Sequence, residues 1–238
     1  AAELSPADTV VEIGPGFGIL TFALAPLVKK IIAFEIEKKL APFWEIKQPE
    51  FPNVEIIWGN VLQQLKTESE KLKVKYKVIA NIPYQITSNL LRTLLEMENK
   101  PERIIIMAQK EVAERICAGP GDMSLLAVSI QYYGAPQIIT KVSRGNFWPS
   151  PNVDSAVLCI KISRDAALDP DFTSVFFKVV KAGFTNKRKQ LWRNLSDHLQ
   201  LDKTKVKNAV KSAVGNEKIR AEELSVENWV EITDKLEY

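Results

Sequence analysis

The sequence predicts an α/β fold in which a parallel sheet is covered by helices on both faces and followed by a small all-helical C-terminal domain. Three observations carry this reading. Short apolar runs recur along the first two thirds of the 238 residues, separated by segments long enough for crossover helices. A glycine loop, Gly14-Pro15-Gly16-Phe17-Gly18, follows the first run and precedes a helix-compatible stretch. Beyond Ile162 the pattern changes to helical periods with no convincing strand.

Val10–Ile13 is the first predicted strand, and Ile19 to Leu27 the helix-compatible stretch after the glycine loop. Ile31-Ile32-Ala33-Phe34 is the second strand and ends in Glu35. Val54–Trp58, Tyr76–Ala80 and Arg103–Met107 continue the series, with an amphipathic run (Leu90, Leu91, Leu94, Leu95) between the last two. A long segment from Glu111 to Tyr133 follows. Gln137–Val142 and Ala156–Ile162 are then joined by a proline-rich loop without a helix, which predicts an antiparallel closing pair. Helices are predicted over Phe172–Ala182, Lys187–Leu199, Lys203–Val214 and Val226–Leu236. A boundary near 163–170 divides the chain into domains 1–165 and 166–238.

Hydrophobic residues make up 46% of the chain, enough for a core, and 26% charged residues fit a soluble globular protein. No apolar run approaches the roughly 20 residues needed to span a membrane. The opening Ala1-Ala2-Glu3-Leu4-Ser5 has neither the basic region nor the apolar segment of a signal peptide, so a cytoplasmic protein is expected, with an organelle as the alternative if a transit peptide precedes these residues. Cys117 and Cys159 lack metal-ligand spacing and read as reduced, buried, small apolar residues. No metal site is expected, and the chain is expected to be a monomer.

The net charge of +3 is mild but unevenly spread. From Lys178 to Arg220 a dense run of cations meets only Asp197, Asp202 and Glu217. Two readings stand: a solvated helix face, or an electrostatic footprint for phosphates with Arg188, Lys189 and Arg193 among its cations. Phe184 and Trp192 interleave with this cluster at helical spacing, which predicts that they pack inward. The lone His198 lies in the helical tail and reads as a surface or capping residue.

Strand, glycine loop and helix in succession let a backbone approach a cofactor closely. Dinucleotide enzymes favour G-x-G-x-x-G; here the third glycine comes one residue sooner, giving Gly14, Gly16 and Gly18, with Glu12 just before the loop. An acid there suits a cationic ligand better than a diphosphate. S-adenosylmethionine, with its sulfonium and amino group, fits that description, and Glu35 stands where a carboxylate takes both hydroxyls of a ribose.

Asn81-Ile82-Pro83-Tyr84 sits where a strand ends and a helix begins. Its residues suit work on the exocyclic amine of a base. The Asn81 side-chain oxygen and a backbone carbonyl at Ile82 or Pro83 can accept two N–H groups, Pro83 stiffens the turn, and the Tyr84 ring can stack on a planar substrate. By itself the motif also fits an ordinary turn. Phe147-Trp148-Pro149-Ser150-Pro151-Asn152-Val153-Asp154-Ser155-Ala156 supplies a second ring on a proline-stiffened loop.

Together these segments closely resemble the ribosomal RNA adenine N6,N6-dimethyltransferases, the KsgA type and its eukaryotic counterparts. The resemblance rests on Glu12-Ile13-Gly14-Pro15-Gly16-Phe17-Gly18, Asn81-Ile82-Pro83-Tyr84-Gln85-Ile86, Gln109-Lys110-Glu111-Val112-Ala113-Glu114-Arg115 and Phe147 through Ala156. It runs to about Ile162 and continues more loosely through Ala182-Gly183-Phe184, Arg188-Lys189 and Leu191 to Leu195.

The resemblance implies a Rossmann-like S-adenosylmethionine-dependent methyltransferase sheet and a helical RNA-binding domain. It implies that Gly14, Gly16 and Gly18 line the cofactor site, that Glu35 holds the ribose, and that Asn81 adjoins cofactor and substrate. Asn60 falls where the family usually has an aspartate facing the cofactor's adenine amine; an amide oxygen still accepts that bond, more weakly than a carboxylate. Tyr84 and Phe147 would sandwich an extruded adenine. The implied reaction moves methyl groups from S-adenosylmethionine to N6 and leaves S-adenosylhomocysteine. The implied target is two adjacent adenines near the 3′ end of 16S-type RNA, in the immature small ribosomal subunit. The family's N-terminal Gly-Gln segment, which closes over the site, precedes the first residue here.

Three alternatives stay open. The erythromycin-resistance 23S rRNA methyltransferases share most of these motifs, although Phe147–Ala156 and the basic tail resemble the small-subunit type more closely. A DNA adenine methyltransferase uses a similar Asn/Asp-Pro-Pro-Tyr turn. A mainly non-catalytic ribosome-assembly or transcription factor could carry the same fold.

Overall fold

The computed structural model describes residues 1–71, 74–163 and 169–236. In chain order the regular elements are β1 (Thr9–Ile13), α1 (Ile19–Leu24), β2 (Lys30–Glu35), α2 (Ala41–Lys47), β3 (Val54–Trp58), α3 (Val61–Lys71), β4 (Tyr76–Asn81), α4 (Thr87–Glu96), β5 (Arg103–Gln109), α5 (Lys110–Ile116), α6 (Leu125–Gln131), β6 (Gly134–Val142) and β7 (Ser155–Ile162). Four helices follow: α7 (Pro170–Gly183), α8 (Leu191–Leu199), α9 (Lys203–Val214) and α10 (Val226–Leu236).

One seven-stranded sheet runs β3-β2-β1-β4-β5-β7-β6. Every residue of β1 is buried, because parallel neighbours flank it on both sides, Val10 opposite Ile31 of β2 and Lys77 of β4. A strand covered on both faces reads as a continuous β-branched run, and Val10-Val11-Glu12-Ile13 does so except at Glu12. β5 pairs in parallel with β4 and antiparallel with β7, with Gln109 opposite Ser155. β7 therefore inserts between β5 and β6. The amphipathic run is confirmed: Leu90, Leu91, Leu94 and Leu95 of α4 are all 2% exposed or less.

Tertiary contacts separate residues 1–113 with 135–163 from residues 114–134 with the C-terminal helices. The boundary expected between 165 and 166 lies outside the described residues. Residues 114–134, read from sequence as part of the first domain, belong to the second unit by their contacts. The reason is burial: Met123, Ala127 and Val128 share a core with Phe176, Val180, Leu195, Val210 and Trp229, and Tyr132 stacks on Phe176 at 4.1 Å.

α8 begins at Leu191 and not at Lys187. Buried Asn194 reaches back through Nδ2 to the carbonyls of Gly183 (2.7 Å) and Asn186 (3.0 Å), and the Leu191 N–H donates to the Ile219 carbonyl, which holds 184–190 out of the helix. Capping fixes the other boundaries. Asp169 accepts from the N–H groups of Asp171 and Phe172 at the start of α7, and Asp202 accepts from Lys205 N–H at the start of α9. α9 ends at Gly215 with φ 71°, a left-handed stop. Neither cysteine forms a disulfide among the described residues. Cys159 is buried as expected, but Cys117, in the turn after α5, is only half-buried.

Candidate active site at the carboxyl edge of the sheet

The strand order reverses direction between β1 and β4: the chain winds from β1 outward to β3, then returns to β4 and winds the other way. Ligands of open α/β sheets bind outside the carboxyl ends of the strands at such a point. The loops here are the glycine loop after β1 and Asn81-Ile82-Pro83-Tyr84 at the end of β4. Glu35 ends β2, and Gly59-Asn60 follow β3 at the same edge. Because β7 runs antiparallel to β5, its first residue, Ser155, also faces this edge, and with it the loop carrying Phe147.

The glycine loop and the β4 turn lie side by side, continuing the pairing of Ile13 with Ala80. A Cβ on Gly14 would lie 3.7 Å from the Asn81 carbonyl oxygen and 4.0 Å from Ile82 Cγ2. Gly16 has φ 55° and no atom within 4 Å of the place its Cβ would take, so it borders open space. Its position is fixed: its N–H donates to Glu35 Oε2 (3.0 Å), and its carbonyl accepts from Trp44 Nε1 (2.9 Å). Gly18, at φ 76°, is required by contact, since a Cβ there would sit 2.5 Å from the Phe22 ring.

Two carboxylates stand beside this loop. Glu35 is 5% exposed, and each of its oxygens accepts a backbone N–H, Gly16 on Oε2 and Glu37 on Oε1 (2.8 Å). Each oxygen keeps a lone pair for a ligand hydroxyl. Glu12 is 1% exposed, and its Oε2 has no hydrogen-bond partner among the described residues. Burial pushes its carboxyl up to about 7; the Thr21 hydroxyl favours the charge, without a hydrogen bond of ordinary geometry to Oε2, and nearby Glu35 opposes it. A buried carboxylate without a partner is costly alone and matches a cationic ligand group. Asn60 turns its Oδ1 to the Leu62 N–H (3.0 Å) and so caps α3. Ile36 and Phe17, 67% and 65% exposed, adjoin Glu35 and Gly16; the sequence reading overlooked both, although an apolar residue directly after an acidic strand end was the available signal.

Asn81 is the exposed last residue of β4, opposite Met107. Of the two carbonyls considered beside it, that of Pro83 accepts the Ile86 N–H at 3.2 Å, whereas that of Ile82 accepts no hydrogen bond among the described residues. The Ile82 carbonyl is thus the free acceptor. Tyr84 is half-buried, and its hydroxyl is 2.5 Å from Oγ of fully buried Ser155. Ser155 was part of the motif read in sequence but was given no role there.

Phe147, half-buried, ends a turn over Arg144–Asn146. Its loop is braced by hydrogen bonds: Arg144 N–H to Asp154 Oδ1 (3.1 Å), Ser150 Oγ to the Arg144 carbonyl (2.9 Å), and Lys110 N–H to the Asp154 carbonyl (2.9 Å). Through Ser155 this loop and the β4 turn meet.

Arg188, Lys189 and Arg193 belong to the second unit, on the 184–190 turn and the first turn of α8, and all are exposed. Lys189 pairs with Asp197 at 3.3 Å, and the Arg193 guanidinium lies 5.1 Å from the centroid of Trp192. Phe184 packs inward on Trp229, as expected, but Trp192 is only half-buried because it supports Arg193 and Lys207 on its ring. His198 is exposed. Among the described residues no cluster of three or more His, Cys, Asp or Glu is placed to hold a metal ion, and no helix is long and apolar enough to cross a membrane.

Solved RNA methyltransferases share this architecture. The 23S rRNA methyltransferase ErmE aligns over 100% of this chain and 94% of its own, with TM-score 0.78 and 25% identity. A dimethyladenosine transferase from Plasmodium falciparum aligns over 98% and 90%, with TM-score 0.82; at 23% identity it speaks for the fold alone. The class is therefore that of the Rossmann-like rRNA methyltransferases.

Within that class the chain belongs to the ribosomal RNA adenine dimethylases, whose family model matches residues 1–237. It is an S-adenosylmethionine-dependent enzyme type acting on rRNA adenines. The chain is 40% identical over 229 residues to ribosomal RNA small subunit methyltransferase A of Dehalococcoides mccartyi strain 195, covering 96% of this chain and 79% of the relative. The protein of the same name from Lactiplantibacillus plantarum is 36% identical over 244 residues, covering 99% and 82%.

Proposed function

We propose that this enzyme dimethylates N6 of adenines in the RNA of the small ribosomal subunit, with the residues of the carboxyl edge in the roles that follow. S-adenosylmethionine, when bound, supplies an electrophilic methyl group on a sulfonium. Glu12 offers its unpartnered carboxylate to the cationic part of that ligand, Glu35 its remaining lone pairs to the ribose, and Gly16 the open space beside it. Asn60, with Oδ1 already accepting one N–H, keeps a second lone pair for the adenine amine.

The adenine N6 is a poor nucleophile because its lone pair is delocalised into the ring. Asn81 Oδ1 and the free Ile82 carbonyl each accept one N6 hydrogen, which favours a pyramidal nitrogen with its lone pair directed at the methyl. Catalysis then comes mainly from position and aligned dipoles. After the new N–C bond forms, the nitrogen is acidic and releases its proton to solvent. In the second transfer one acceptor holds the remaining hydrogen while the first methyl takes the place of the other. Tyr84 and Phe147 hold the base by its faces.

The observation that carries this reading is the close approach of the glycine loop to Asn81-Ile82, on either side of the point where the strand order reverses. The relatives' shared name supports the small subunit as target. The test offers unmethylated small subunits, large subunits and duplex DNA with methyl-labelled cofactor, and maps the modified bases by mass. Dimethyladenosine in small-subunit RNA is the expected result; label confined to large subunits or DNA overturns the reading.

A further inference from the structure

Of the five tryptophans in the chain, Trp44 and Trp229 are 1% and 0% exposed, Trp58 and Trp192 are half-buried, and Trp148 is 99% exposed. A free indole exposes more apolar surface to water than any other side chain. Here it stands one residue from Phe147, on the braced loop that meets Tyr84 through Ser155. Phe147 is extended, with φ −115° and ψ 149°, so its side chain and that of Trp148 leave the chain on opposite sides. One ring is available to the target base, and the other cannot serve the same base.

The surroundings of Trp148 favour a nucleic acid. Lys141 and Arg144, both exposed, lie on the strand end and turn leading into the loop, with Asp154 as the loop's one acid. Aromatic faces stack on any base, and cations nearby serve the phosphates. An extruded adenine also leaves its neighbours unstacked, and these need a new surface.

We propose that Trp148 is a stacking platform for a nucleotide flanking the target adenine, binding substrate RNA without taking part in methyl transfer. The proposal rests on RNA as the substrate of this edge, as argued above. It assigns Trp148 a role in KM for RNA and none in the chemical step or in cofactor affinity.

The test compares wild type, Trp148→Ala and Trp148→Phe on unmethylated small subunits. Because the side chain is exposed, neither substitution removes buried surface, and melting temperatures should agree. Trp148→Ala should raise KM for RNA about tenfold, equivalent to about 1.4 kcal/mol, with the single-turnover rate at saturating RNA and the affinity for S-adenosylmethionine unchanged. Trp148→Phe should stay within about threefold of wild type. Acrylamide quenching of the wild-type indole emission should fall when RNA is added, and Trp148→Ala should lack that protected component. An unchanged KM in Trp148→Ala overturns the proposal, as does quenching indifferent to RNA. So does protection that grows with protein concentration alone, which would assign the ring to a second copy of the chain. Wild-type enzyme that leaves RNA unmethylated overturns both this proposal and the function beneath it; active wild type with an indifferent variant overturns the platform alone.

Discussion

The two ends of the sheet treat buried charge in opposite ways. At the amino end Lys77 is 8% exposed, and its ammonium donates to Asp8 Oδ2 (2.8 Å) and the Glu3 carbonyl (2.6 Å). Asp8 also accepts the Ser5 N–H (2.7 Å). Burial alone would raise its carboxyl, but the Lys77 hydrogen bond, the Ser5 N–H and the Lys77 charge together hold it below the usual range. At the carboxyl end Glu12 is buried more deeply and has no such partner on Oε2. The amino end is completed by the protein itself. The carboxyl end is left for a ligand to complete, at a cost in stability.

The largest effect that separates the two ends belongs to Asn81. Asn81→Ala should lower methyl transfer by on the order of 10²–10³-fold while melting temperature and cofactor affinity stay near wild type, because the residue is exposed. Single-turnover kinetics and calorimetry check this; wild-type turnover would remove Asn81 from the mechanism.

Glu12 comes next. Its folded carboxyl lies at about 7 against an ordinary 4.5, so its contribution to stability is fully present below pH 4.5 and is lost as pH rises through 7. The loss amounts to about 3 kcal/mol at 1.36 kcal/mol per unit. Denaturation curves of ligand-free Glu12→Gln should lack that decline. Affinity for S-adenosylmethionine should grow with pH through 7 in wild type and stay weak and flat in the variant. Parallel pH profiles for the two proteins would contradict the assignment.

Lys77→Met should cost about 2 kcal/mol by leaving half-buried Asp8 without its charged hydrogen-bond partner. Rate per folded molecule should be unchanged, since the change is at the other end of β4. Ser155→Ala should have the smallest effect, about 1 kcal/mol for one lost hydrogen bond, seen as a several-fold rise in KM for RNA at constant cofactor affinity. An equal loss of both would mean that Ser155 serves the whole edge and not Tyr84.

Most of the first unit was legible because its signals are local. Val10–Ile13, Ile31–Phe34 and Tyr76–Ala80 are apolar runs stopped by glycine, acid or proline, and parallel strands buried on both faces must read so. The glycine loop and Asn81-Pro83-Tyr84 are likewise punctuation that the backbone requires. What the sequence hid lies between distant residues. The Tyr84–Ser155 bond spans a separation of 71 residues, and no window contains both ends. The membership of 114–134 in the second unit depends on Ala127 and Val128 meeting helices far along the chain. α8 starts late because Asn194 captures carbonyls 8 and 11 residues upstream, against a helical period that ran on to Lys187. Glu12 stands out in the sequence as an acid just before the glycine loop, but the want of a partner on its Oε2 is a property of space and not of spelling.

The short bond from the Tyr84 hydroxyl to Ser155 has one more consequence. A ring pinned at its far end cannot tilt to suit its guest, so any slot it forms has a preset height. Adenine, its monomethyl form and its dimethyl form are equally flat, and such a slot admits all three alike. Whether the enzyme stops after one methyl or goes on to two is then decided in the plane of the base, by what crowds Asn81, and a count of methyls per adenine should respond to substitutions there and not at Tyr84.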